Sequence, residues 1–133
     1  MWRIEFTSQK FLPMLPEECQ QNPGVYGFEL AWWLAVSLAK QGVATSYPLG
    51  EDWGWFLEFT DAQDAEYRIG CSSMSEHEGQ RGEPIQWSVF VKPYTSLKER
   101  FKGVSHESGT NELGSRIVAA LAAEQIQVER VGT

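Results

Sequence analysis

The chain has 133 residues, enough for one hydrophobic core, and its 42% apolar and 13% aromatic content excludes a disordered polypeptide. A net charge of −7 argues against DNA or RNA as a partner, because affinity for phosphates rests on clustered Lys and Arg. The acidity is local. Residues 51 to 83 hold nine acids against Arg68 and Arg81, and the flanking segments nearly cancel.

Trp2, Ile4 and Phe6 alternate with Arg3, Glu5 and Thr7, the period of a half-buried strand and not the apolar run of a signal peptide. A connection rich in Pro and Gln follows, FLPMLPEECQQNPG, in which Pro16 opens a short turn and Asn22 with Pro23 starts the main helix, its first turn delayed by Gly24. That helix runs to Lys40–Gln41, and Gly42 closes it. Leu30, Trp33, Leu34 and Leu38 form its core stripe, with Glu29 and Lys40 toward solvent. Trp32 and Val36 lie off the stripe, so the apolar face is wider than one packing contact requires. The apolar run Phe28 to Ala39 is far shorter than the roughly 20 residues of a bilayer span, and no membrane partner is expected.

After Gly42 the period changes to two. Val43 to Tyr47 reads as a short strand, Pro48 to Gly50 as a turn, and Trp53 to Thr60 as a longer strand with Trp53 and Trp55 on one face. Asp61 to Asp64 is a polar turn before a strand through Tyr67, Ile69 and Cys71, and a register that sets Gly70 across from Trp55 would let the indole cover the glycine. Residues 73–84 lack apolar anchors and read as a mobile loop. Trp87, Val89 and Val91 mark another strand, closed by Pro93, and Ser96 to Lys102 one or two helical turns. The last helix, capped by Thr110, has Leu113, Ile117, Val118 and Leu121 as its core stripe and Glu112–Arg116 as an i,i+4 pair. Gln127 to Val131 adds a final strand. The order predicts an α+β fold: a mainly antiparallel sheet of five to six strands, with two main helices on one face.

Chemistry-bearing motifs are scarce. No glycine run joins a strand to a helix with a phosphate-binding lysine, and Cys19, Cys71, His77 and His106 lack the close pairing of a zinc site. No nucleophile elbow occurs, so neither catalysis nor a cofactor is expected, and the two histidines read as solvated loop residues. The two cysteines without a signal segment point to the cytoplasm.

Two functional readings follow. In the first, the chain is a protein-interaction domain that binds a basic partner, in the manner of an immunity protein, or associates with itself. Surplus apolar surface at Trp32 and Val36 and the acidic segment beginning at Glu51 and Asp52 support it. In the second, Trp53 and Trp55 line a small-molecule or carbohydrate cleft with Glu29, Glu51 and Asp52. Stacking indoles beside paired carboxylates are what a glycoside hydrolase uses.

Overall fold

The computed structural model describes residues 1–22, 24–74 and 83–132. Their elements run β1 (Trp2–Ser8), a single 3-10 turn (Glu17–Cys19), α1 (Phe28–Lys40), β2 (Leu49–Glu51), β3 (Gly54–Thr60), β4 (Glu66–Ser73), β5 (Ile85–Tyr94), α2 (Leu97–Phe101), α3 (Glu107–Ala123) and β6 (Glu129–Arg130). The six strands form one antiparallel sheet in the order β2-β3-β4-β5-β1-β6. The fold is α+β, as the order of apolar periods predicts. The N-terminal strand sits inside the sheet, between β5 and β6, because Trp2, Ile4 and Phe6 need a covered face.

The alternating apolar residues of β1, β3, β4 and β5 share that face. Ile4, Leu57, Ile69, Trp87, Val89 and Val91 are fully buried there under Leu30, Leu34 and Leu38 of α1 and Ile117 and Leu121 of α3. α1 covers β3 and β4, while α3 covers β5 and β1. The approach of α3 depends on Gly114, since a Cβ there would lie 2.3 Å from Trp2 Cε2.

Both helices end in the same way. Gly42, at φ 84°, donates to the Ala39 carbonyl while Val43 donates to Leu38. Gln125, at φ 61°, donates to Ala122 while Ile126 donates to Leu121. Each pair satisfies two terminal carbonyls, with a left-handed residue between them. Glutamine is strained in that conformation where glycine is not, so Gln125→Gly is expected to add about 0.5–1 kcal/mol of stability, read from the urea midpoint. An unchanged midpoint would show that the turn carries no strain.

Several expectations need correction. The segment Val43–Tyr47 is not a strand. Ser46 alone is held to β3, its amide donating to the Glu58 carbonyl and its hydroxyl oxygen accepting the Glu58 amide, and the edge strand forms later, at Leu49–Glu51. Trp53 and Trp55 do not share a face. Trp53 belongs to the two-residue turn joining β2 to β3, and β3 begins after it at Gly54, whose φ of 154° breaks the alternation. The register sets Gly70 across from Phe56, so Trp55 does not cover it; the Phe90 ring does, since a Cβ at Gly70 would lie 2.1 Å from it. Trp55 instead faces Cys71.

Asn22 does not cap α1. Its side chain binds the Asp52 carbonyl at 2.7 Å, and the helix starts from Gly27. Thr110 lies within α3, its hydroxyl bonded to the His106 carbonyl, because the helix begins a turn earlier. β5 continues to Tyr94, with Pro93 opposite Tyr67 where the β1 side is unoccupied, a place that tolerates proline's missing N–H. Of the expected 73–84 loop, Ser73 ends β4 and Met74 donates to the Gln86 carbonyl; residues 75–82 lie outside the described residues.

Candidate functional site

The residues singled out by the sequence divide among three places. Trp32 and Val36 stand on the outer face of α1, 46% and 41% exposed. Tyr47 stacks on Trp32 with ring centroids 5.9 Å apart and planes 8° from parallel, and is itself 76% exposed. The pair is preformed because Ser46 ties the preceding chain to the β3 edge, which fixes where Tyr47 can reach.

Trp53 lies on the opposite side of the sheet, 5.2 Å from Phe90 and 6.4 Å from Phe56. Glu51 is beside it, 4.0 Å from Arg68, whose guanidinium lies 4.2 Å above the Phe56 ring. Trp55 is buried in the core, edge-on to Phe28 at 5.1 Å.

Glu29, expected toward solvent, accepts the backbone amides of Met14 and Leu15 at 3.1 Å each and pins the Pro-rich connection to α1. One carboxylate is therefore structural and one tryptophan is core, so Glu29 and Trp55 are held apart from Trp53.

A sizeable cleft lies elsewhere and was not legible in the sequence. It has a volume of about 700 Å³ and lies between the β3–β4 turn and the α2–α3 segment. Val43, Phe59, Tyr67 and Leu113 give it an apolar floor; Asp61, Asp64, Glu112 and Arg116 line it with charge.

His106, expected to be a solvated loop residue, has a side chain only 11% exposed and contacts Glu99 at 2.9 Å. The other oxygen of Glu99 accepts the Ser96 amide at 3.2 Å while Ser96 Oγ accepts the Glu99 amide, a reciprocal cap on α2. The Ser96 amide above all, with His106 and the Ser96 hydroxyl adding to it, holds the Glu99 carboxyl below its usual range against the opposing effect of burial. Burial and the neighbouring Asp61 push the Tyr67 hydroxyl up. Asp61 also accepts the Gln63 and Ala65 amides at 2.9 Å, which shapes the turn.

Asp61 and Glu99 thus each hold a local turn as well as lining the cleft. Cys71 is fully buried and its thiol is pushed far up by desolvation, which removes thiolate chemistry there. Among the described residues no three His, Cys, Asp or Glu side chains converge on a metal position, and no helix is long and apolar enough to cross a membrane. The Ser96-x-x-Glu99 spacing was the one sequence signal that could have placed Glu99, and through it His106, at this end of the fold.

The chain matches no protein-family model, no curated protein and no solved structure.

Proposed function

We propose that this chain is a non-catalytic domain that binds a basic protein partner through the Trp32–Tyr47–Val36 surface. The observation that carries the reading is the stacked, exposed Trp32–Tyr47 pair. Aromatic anchors supply most of the energy of protein interfaces, and a pair already ordered before contact loses little entropy on binding. The net charge of −7 supports a basic partner and speeds the encounter, while disfavouring nucleic acid. Both cysteines are free, in keeping with work in a reducing compartment such as the cytoplasm. The interaction reading is favoured over a ligand cleft shared by Trp53 and Trp55 because Trp55 is buried in the core and Glu29 binds backbone amides.

Affinity capture from the host lysate at low salt, with the double variant Trp32→Ala/Tyr47→Ala and the control Trp53→Ala run in parallel, tests the reading. A stoichiometric basic protein is expected with wild type and with Trp53→Ala. It should be weakened at least about 30-fold by the double variant, the scale of a hot-spot loss of roughly 2 kcal/mol, and released by high salt. Retention of that protein by the double variant, or capture of no basic protein at all, would sink the proposal.

A further inference from the structure

We infer that the cleft between the β3–β4 turn and α3 is filled by α2 of a second copy of this chain, in a two-fold exchange in which each copy inserts Leu97 and Phe101 into its partner. α2 is a well-capped helix that buries none of its residues. Leu97 and Phe101, one turn apart and so on one face, are 82% and 96% exposed. Short helices draw their stability from covering such a face, and here nothing among the described residues of the same chain covers it.

Charge favours a second copy as the occupant. Lys98, Arg100 and Lys102 surround the two apolar side chains, all exposed and with no ion pair among the described residues. The cleft offers an apolar floor lined by Asp61, Asp64, Glu99 and Glu112 against Arg116, which pairs with Glu112 at 3.2 Å, so acids outnumber the basic groups there. A basic, apolar protrusion thus sits on an otherwise acidic chain that also carries an acidic, apolar groove.

Placement makes the match reciprocal. Glu99 and Val104 border the same cleft, so protrusion and groove lie side by side at one end of the molecule. A two-fold axis at that end brings each α2 over the other copy's cleft, and the contact closes at a dimer without open-ended growth. The chain's own α2 does not turn inward to fill its own cleft, because the Glu99–His106 contact and the Val104 amide on the Glu99 carbonyl hold it with Leu97 and Phe101 outward. The surface involved is distinct from Trp32 and Tyr47, so this inference does not rest on the proposed partner surface. A stable interface takes about 800 Å² from each copy, about a tenth of the 8001 Å² surface. α2 has only five residues, so a weak, concentration-dependent dimer is expected.

Sedimentation of the full chain from about 10 μM to about 1 mM tests it, a range chosen for weak association. Wild type is expected to dimerise within that range, and Phe101→Asp to weaken the dimer at least about tenfold. Phe101 is almost wholly exposed, so the variant keeps its fold, which circular dichroism checks. Lys98→Glu and Glu112→Lys should each weaken the dimer, and the two combined in one chain should restore it. Trp32→Ala should leave it unchanged. A wild-type monomer throughout, a dimer indifferent to Phe101→Asp, or one indifferent to Glu112→Lys would each overturn the assignment. None of those results would bear on capture of a partner through Trp32.

Discussion

Trp87→Ala is expected to remove about 3–5 kcal/mol of stability, a large part of the roughly 5–15 kcal/mol that a domain of this kind possesses. Trp87 is the largest fully buried side chain. It projects from β5, with Phe6 of β1 and Ser73 of β4 as its cross-strand neighbours and the Phe11 ring edge-on at 6.5 Å. Interior strands on both sides cannot move in to fill the vacated volume, so the transfer loss and the cavity add. The indole N–H has no hydrogen-bond partner among the described residues. Trp87→Phe, which keeps most of the ring and removes that N–H, should therefore cost clearly less. Urea unfolding followed by circular dichroism gives both values. A loss below about 1 kcal/mol for alanine would show that the core around β5 is not closely packed.

Gly27→Ala is expected to be nearly as damaging, for a different reason. Gly27 sits at the start of α1, where its carbonyl accepts the Ala31 amide, and its φ is 158°. A Cβ there would lie 2.3 Å from the Cys71 carbonyl oxygen and 3.3 Å from Trp55 Cδ1. The first of these is backbone of a central strand and cannot swing aside. The neighbouring residue is fixed as well, since Tyr26 exchanges hydrogen bonds with Ser73, its amide to Ser73 Oγ and its carbonyl from the Ser73 amide. Alanine must push α1 away from β4, at a cost of about 3 kcal/mol, or roughly 10 °C in melting temperature. Gly42→Ala separates the two contributions. At φ 84°, with open space around it, that change carries conformational strain alone, about 1 kcal/mol. Equal losses at the two positions would refute the close approach of α1 to β4.

Much of the fold was legible because apolar periodicity is a local property. The stripe Leu30, Leu34, Leu38 and the alternation at Trp2, Ile4 and Phe6 each name a buried face without reference to any other segment. Errors fell where one residue's place depends on a distant partner. Thr110 is a good cap by type, yet α3 starts earlier, where Gly109 lies so close to the Tyr67 hydroxyl that a Cβ would collide with it. Glu29 looks solvated on a helical wheel, but the incoming Pro-rich segment brings two backbone amides to it. Trp53 follows the strand period only on paper, because the turn and Gly54 place it outside β3.

The candidate surfaces show the same division. The position of Trp32 and Val36 off the core stripe predicted their exposure, since helical geometry alone decides it. Tyr47 was not legible as the partner of Trp32, because stacking them requires the Ser46–Glu58 tie between a loop and a strand edge. The cleft was invisible for a stronger reason. Its walls come from residues near 43, 60, 66 and 99–116, and sequence carries no signal for a concavity made by segments that meet only in three dimensions.

By itself, then, the sequence determined the kinds of element, most of the core-facing residues and the acidity of the chain, since propensity, period and charge belong to residues and their near neighbours. The tertiary structure decided the strand order, the burial of Trp55 beside an exposed Trp53, the structural duty of Glu29 and the joining of His106 to Glu99. Those outcomes depend on close packing and on satisfying particular buried polar groups, and both are set by whichever distant segment arrives.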